Sequence, residues 1–359
     1  AVEYRGRIRW FWGDTARMGG PLGMFRTAGA TTAVPDPDDP LADPAAGIPF
    51  EYFVDGDGFV RAMMPLPERP EGVIWIESVF VVPDATGRDR LVAHYSRRKG
   101  LDVELEQGIA VYDDDTDTFT PVRELPLAET WRRPRGHPVV VEEGGTRWLL
   151  FGRPVPEVRV RATLDDVLDP GRYEALVCAA AGDGAEGRPD TDADGRPRWR
   201  WTADGPPTNA ADERRWIAGG LLRQADARRC PVDAADPSSS IELHSGTIRW
   251  NPHRRRWVLI AGQVRGGPSM LGEVWYAEAA EPTGPFARAV RIVTHDRQSF
   301  YNVCHHAFLD RAGGRFVHFE GTYTHTFSGN PVRTPRYDYN QVLYRLDLDD
   351  PALRPAHVD

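Results

Sequence analysis

Short apolar and aromatic runs recur along the whole chain, separated by Gly, Pro, Asp and Asn, and few stretches carry a helical period. The runs at residues 7–13, 72–82, 90–96, 108–112, 138–142, 147–151, 246–250, 256–261, 273–279, 307–309, 315–319 and 341–348 are predicted strands. That is an all-β rhythm with too many strands for one sandwich.

Several of these runs share a plan: an inner strand that opens on a polar residue, a Gly- or Arg-rich turn, and an aromatic strand that ends on another polar residue. The plan is clearest at 244–251 leading to 257–263 and at 305–310 leading to 315–320, and it recurs at 136–138 leading to 148–153 and at 75–77 leading to 91–95. The strand at 7–15 then reads as the second strand of a first unit, whose inner strand lies before Ala1 or comes from the C-terminus. Five such units predict an all-β, five-bladed β-propeller with four-stranded antiparallel blades, as one domain over 1–359. Insertions are expected near 183–198 and 206–240. A helix is expected within 210–227 and essentially none outside 206–240.

Composition narrows the partners. A formal net charge of -9 argues against a nucleic-acid backbone as ligand, and no apolar run is long enough for a membrane-spanning helix. Cys178, Cys230 and Cys304 show no C-x-x-C spacing and read as three buried thiols, with a single bridge as the alternative. The first residues lack the regions of a signal peptide. The compartment is therefore open, with a secreted or periplasmic location favoured if a signal has been removed.

In a propeller, the inner strand of each blade starts near the axis and the next strand returns to the same end, so the polar strand ends converge. This register gathers Asp14, Glu77, His137, Arg153, His244, Gln263, His305, Glu320 and Asp338 at one funnel mouth. Asp14, Glu77 and Glu320 are the carboxylates that glycosidic cleavage asks for: a base or nucleophile, a proton donor, and a group that tunes them. Each has a plainer alternative. Asp14 in Trp-Gly-Asp-Thr can close an Asx turn. Glu77, alone in an apolar strand, is costly unless paired. Glu104 and Glu106 read as solvated surface charges. His137, His244 and His305 suit sugar hydroxyls, and are too dispersed for a zinc motif. No cofactor is required, although one such histidine can help hold an axial hydrated cation such as calcium. Glu273 sits at the funnel rim or pairs with an arginine. Tyr337 and Asp338 suit stacking on and bonding to sugars, or form a polar turn.

The phrases Trp-Gly-Asp14-Thr, Gly272-Glu-Val-Trp-Tyr-Ala-Glu-Ala with Pro282-Thr-Gly-Pro-Phe, and Phe319-Glu-Gly-Thr-Tyr-Thr resemble those of five-bladed propeller glycoside hydrolases. That group includes arabinanases, β-xylosidases, invertases and levansucrases, and the Gly-Asp-Thr strand ending is similar to that of a propeller family containing endo-D-arabinanases. The resemblance implies an acid, a base or nucleophile, and a modulating carboxylate from successive blades. Asp14 and Glu77 fall where the base and modulator would. The third unit offers His137 and Arg153 in place of an acid, and Glu320 is the substitute on geometry. Glycoside hydrolysis of a poly- or oligosaccharide is the leading expectation. The alternatives are a non-catalytic carbohydrate-binding propeller and a polysaccharide lyase, in which a His or Tyr base works beside Arg153.

Overall fold

A computed structural model describes residues 1–15, 26–39, 43–100, 102–180, 187–334 and 338–358, without the side chains of Asp14 and Arg26. Its described strands form five sheets. The first orders β1 (Val2–Tyr4), β2 (Arg7–Thr15), β3 (Arg26–Ala33) and β4 (Glu51–Tyr52). The second orders β5 (Val73–Pro83), β6 (Asp89–Lys99), β7 (Val103–Asp113) and β8 (Thr118–Leu125). The third contains β9 (Val139–Glu143), β10 (Thr146–Gly152), β11 (Pro156–Arg161), β12 (Glu174–Val177) and β13 (Arg200–Thr202). The fourth contains β14 (Val232–Asp233), β15 (Leu243–Asn251), β16 (Arg256–Gln263), β17 (Val274–Ala279) and β18 (Arg288–Val293). The fifth has β19 (Ser299–His305), β20 (Phe316–Thr324) and β21 (Asn340–Asp347). Sheet number and chain order are those of a five-bladed β-propeller.

Four details correct the expected pattern. The blades are not uniformly four-stranded, because the third and fourth sheets have five strands and the fifth has three. One pairing, β14 with β18, is parallel. The inner-strand partner of β2, expected before Ala1 or from the C-terminus, is β1, paired through Val2↔Arg9 and Tyr4↔Arg7. Besides the expected helix α2 (Ala210–Ala218), a short α1 (Leu164–Leu168) forms where Thr163 caps the N–H of Asp166. Helix α2 starts at a capping box, Asn209 with Asp212, and its C-cap is Gly219.

The chain divides into two compact units, residues 1–149 with 160–173, and 150–159 with 174–359. In the first, Tyr4, Met63, Leu91, Ala93, Tyr95, Ala110, Tyr112 and Phe119 form the buried core, with Phe11 and Ile74 against it. In the second, the central strands are apolar on both faces. Val258, Ile260, Val274 and Tyr276 pack with Phe300, Val317 and Phe319, while the alternate residues Leu259, Ala261, Trp275 and Ala277 pack with Val155, Ile248 and Phe286. This two-sided burial explains why the runs at 256–261 and 273–279 read as continuous rather than alternating, and each fully buried Ile or Val contributes about 1.5–3 kcal/mol. Cys178, Cys230 and Cys304 are free and buried, as expected.

Gly246 has no room for a side chain, because a Cβ there would overlap the Ile260 carbonyl and the Ala261 side chain on the paired strand. Gly246→Ala is expected to destabilise the second unit by about 1–3 kcal/mol, read as a lower denaturation midpoint. An unchanged midpoint would show that β15 and β16 lie further apart than described.

Candidate functional site

In four sheets a β-bulge interrupts a ladder, and three of the candidate residues, Asp14, Glu77 and His244, fall on these irregularities. Gly13 and Asp14 face Thr27 alone between the pairs Trp12↔Ala28 and Thr15↔Arg26. Glu77 is the extra residue between Ile76↔Tyr95 and Ser78↔His94. His244 and Ser245 face Gly262 between Leu243↔Gln263 and Gly246↔Ala261. Asn302, at φ 57°, and Val303 face Gly321 between Tyr301↔Thr322 and Cys304↔Glu320. A bulge breaks the alternation of side chains and re-aims the extra residue, which is how a strand can present a polar group without inverting its apolar face.

In the first unit Glu77 is the centre of a polar cluster. Its carboxylate takes Arg133, Arg135 at 3.2 Å and the Ser96 hydroxyl at 3.2 Å, with the Glu77 and Arg133 side chains only 9% and 5% exposed. Arg133 also donates to Glu104 (2.9 Å) and Gln107 (2.6 Å). The strap 133–136 that carries these arginines is pinned to the sheet. The Pro134 carbonyl accepts from Ser78 Oγ (3.1 Å) and His94 Nδ1 (2.8 Å), and the Gly136 N–H donates to the Glu77 carbonyl (3.3 Å). His137 follows on this strap. Burial, with Arg133 adding to it against the Pro134 bond, depresses His94 from its usual 6.5 to about 3, so the ring that holds the strap is neutral.

Two residues set aside as surface charges are engaged instead, Glu104 in this cluster and Glu106 in a separate one. Glu104 bonds Arg133, and Glu106 is buried, taking Arg69 (2.6 Å), Arg97 (3.0 Å) and the Tyr95 hydroxyl (2.6 Å). Regular alternation in Val-Glu-Leu-Glu would put both on one face, but a bulge at Leu105 pairs Glu104 with Arg98 and Glu106 with Arg97, so the two acids serve opposite faces of the sheet.

In the second unit the placements are mixed. His244 and Gln263 lie at one end of the fourth sheet, as expected from Leu243↔Gln263. Burial depresses His244, and the Arg153 charge adds to this, so His244 is a neutral ring 3.1 Å from Ser245 Oγ. Gln263 Oε1 accepts from the Trp275 indole at 2.8 Å. Glu273 lies beside Gln263, whose N–H donates to its carbonyl at 3.0 Å, and among the described residues it forms no ion pair with an arginine, Arg291 acting on it only through its charge. It is buried, with one oxygen on the Thr294 hydroxyl (2.9 Å), and burial raises its pKa. Asp338 accepts from the ring and backbone of His325 and from Thr334, bonds that hold its carboxyl below the usual range despite burial. Tyr337 lies outside the described residues.

His305 requires a correction. It closes β19 rather than opening an inner strand, and 307–309 is a 3-10 turn. The start of β19 lies beside the end of β20 through Ser299↔Thr324, whereas His305 pairs with Phe319 and is buried against Asp310 at 2.9 Å. The double histidine drew the strand boundary six residues late. Glu320 accepts from His306 Nε2 at 2.8 Å, and His306 Nδ1 lies 3.8 Å from Cys304 Sγ. Burial alone would depress His306, but Cys304 and Glu320 outweigh it and lift it to about 9.

Glu157 on β11 is the carboxyl that the sequence reading missed. Burial raises its pKa against the opposing charges of Arg229, 3.7 Å away, and Arg153, yet its side chain remains 32% exposed. Its place in Pro-Glu-Val-Arg-Val-Arg looks like ordinary strand polarity, and only the fold shows what surrounds it. Among the described residues no three His, Cys, Asp or Glu side chains are grouped as metal ligands.

Sheet order and bulged strands together define a five-bladed β-propeller, the architecture that the resemblance to propeller glycoside hydrolases led us to expect. No protein-family model matches the sequence, and neither does any curated protein. Among solved structures it is similar to an exo-β-1,3-galactanase from Clostridium thermocellum (11% identity over 96% of this chain and 58% of that one, TM-score 0.48). It is also similar to an endo-1,5-α-L-arabinanase from Thermotoga petrophila RKU-1 (11%, 97% and 70%, 0.43) and to an exo-1,5-α-L-arabinanase from a bovine ruminal metagenomic library (10%, 97% and 92%, 0.43). Likenesses this low carry no argument, and the fold class rests on the sheets themselves.

The two shifted histidines make stability pH-dependent with opposite signs. His94 is depressed when folded, so its contribution is present above 6.5 and is lost as pH falls towards about 3. His306 is raised, so its contribution is complete below 6.5 and is lost as pH rises through about 9. Each slope can reach about 1.4 kcal/mol per pH unit. Urea unfolding across this range should show the acid slope shrinking in His94→Gln and the alkaline slope shrinking in His306→Gln, with imidazole NMR titration of the native protein as the direct check. Both rings titrating near 6.5 would contradict the described environments.

Proposed function

We propose that the chain is a glycoside hydrolase acting on a poly- or oligosaccharide. The observation that carries this reading is the pair of bulges in the first unit, one bearing Asp14 and the other Glu77. Two acids on irregular strand positions, one of them fixed by guanidiniums, suit a reaction that needs carboxylates held at set places. In this scheme Asp14 is the base or nucleophile. Glu77, whose oxygens already accept from Arg133 and Arg135, orients the charge distribution instead of donating a proton. Glu320 is the third carboxylate of the proposal, coupled to the His306 proton. Glu157, in the second unit, is a carboxyl able to donate a proton, because burial favours its protonated form while its side chain stays partly accessible.

One observation supports a second reading, a lyase. His244 is kept neutral by burial and by Arg153, the state needed in a base that removes a proton beside a uronate, and Arg153 is at hand for the carboxylate. The two reactions leave different products. Hydrolysis releases a reducing end, whereas elimination also leaves an unsaturated uronide that absorbs in the ultraviolet.

A glycan panel assayed for both products tests the choice. Asp14→Asn, Glu157→Gln and Glu320→Gln should each lower turnover by about 10²–10⁴-fold without loss of fold. Glu77→Gln should do the same, with its melting temperature recorded because it also breaks an ion pair. Wild-type turnover in Asp14→Asn and Glu77→Gln would refute the assignment, and an unsaturated product abolished by His244→Gln would replace it with the lyase. Glycan binding without any turnover would leave a carbohydrate-binding propeller.

A further inference from the structure

The strap across β5 brings more positive charge to Glu77 than the neighbouring acids balance. Facing Glu77 and Glu104 are three guanidiniums. Arg98 lies 3.5 Å from Glu104, Arg133 contacts both acids, and Arg135 lies 3.2 Å from Glu77 and 3.8 Å from Glu104. The surrounding charges are engaged elsewhere: Arg69 and Arg97 on Glu106, Lys99 on Glu71, and Arg132 on Glu129.

The three are not equivalent. Arg133 is 5% exposed and bound to Glu77, Glu104 and Gln107, so its donors are occupied. Arg98 is 11% exposed and stacks over the Trp75 ring. Arg135 is 34% exposed and shares two carboxylates that are already paired. It cannot swing away easily, because Pro134 and Gly136 on either side of it are bonded to the sheet. Burial depresses the Arg133 guanidinium, and the Arg135 charge adds to this, so the two arginines repel each other where they meet Glu77. An oxyanion arriving at Arg135 would relieve that repulsion and fit the planar fork of a guanidinium.

We propose that Arg135 receives an anionic group of the glycan, a uronate carboxylate or a sulfate ester, so that the ligand class is an acidic polysaccharide. This rests on the carbohydrate reading above, but on neither hydrolysis nor elimination. A chain of net charge -9 repels an anionic polymer at long range, so the affinity has to come from a local cluster of this kind.

Calorimetric titration tests it with three oligosaccharides of similar length: an oligogalacturonate, a sulfated galactan fragment and a neutral arabino-oligosaccharide. At least one anionic probe should bind about tenfold or more tightly than the neutral one, and weaken as salt rises to about 0.5 M. Arg135→Gln should remove that preference and Arg135→Lys should retain part of it, with melting curves recorded for both. The two anionic probes decide between carboxylate and sulfate. Equal affinity for neutral and anionic probes, an anionic affinity unchanged in Arg135→Gln, or no binding of either anionic probe would each overturn the proposal. Should Arg135→Gln fail to fold, the preference and salt dependence of the wild type decide. Anionic binding without turnover would count against the enzymatic reading and leave this one standing.

Discussion

The first unit's candidate site depends on the buried ion pair between Glu77 and Arg133. Removing two charges from water costs several kcal/mol each, and the cost is met only where the remaining donors and acceptors are also satisfied. Here they are. Arg133 reaches Glu77, Glu104 and Gln107, and Glu77 takes Arg135 and Ser96 as well. Losing one partner would strand the other charge at about 3–5 kcal/mol, so the pair holds the strap and the bulge in a single arrangement. The neutral ring of His94 completes this by binding the Pro134 carbonyl without adding a third buried charge.

The second unit handles its polar groups differently. His306 keeps its proton because Cys304 and Glu320 flank it, His244 stays unprotonated because it is buried near Arg153, and Glu157 is pushed towards its neutral form. Titratable groups whose surroundings move them in opposite directions are what acid–base chemistry draws on. In both units the apolar faces of the strands are undisturbed. The bulges confine each departure from alternation to one or two residues, and the cores on either side of β16 and β17 remain continuous.

Much of this was legible in the sequence, for a physical reason: strands buried on both faces need unbroken apolar runs, and the turns between them need Gly, Pro and Asp. The fivefold plan, the helix after Asn209 and the partnered state of Glu77 all followed from local chemistry. Longer-range pairing did not. His305 was placed at a strand start because His-His looks like an opening polar pair, and only the ladder with β20 shows that the strand ends there. Glu104 and Glu106 looked solvated because their arginine partners lie up to 37 residues away in the chain. Glu157 carried no signal at all, since what raises it is burial beside residues brought together by the fold.

The most direct test of the central claim, that bulged carboxylates serve a sugar site, is a crystal structure of the Asp14→Asn variant, which leaves the Glu77–Arg133 pair intact, with a bound oligosaccharide from whichever glycan binds best. The account predicts a sugar ring within hydrogen-bonding distance of Glu77 or residue 14, with Arg135 contacting the same ligand. An oligosaccharide bound away from the β5 bulge, with the strap 133–136 untouched, would contradict it.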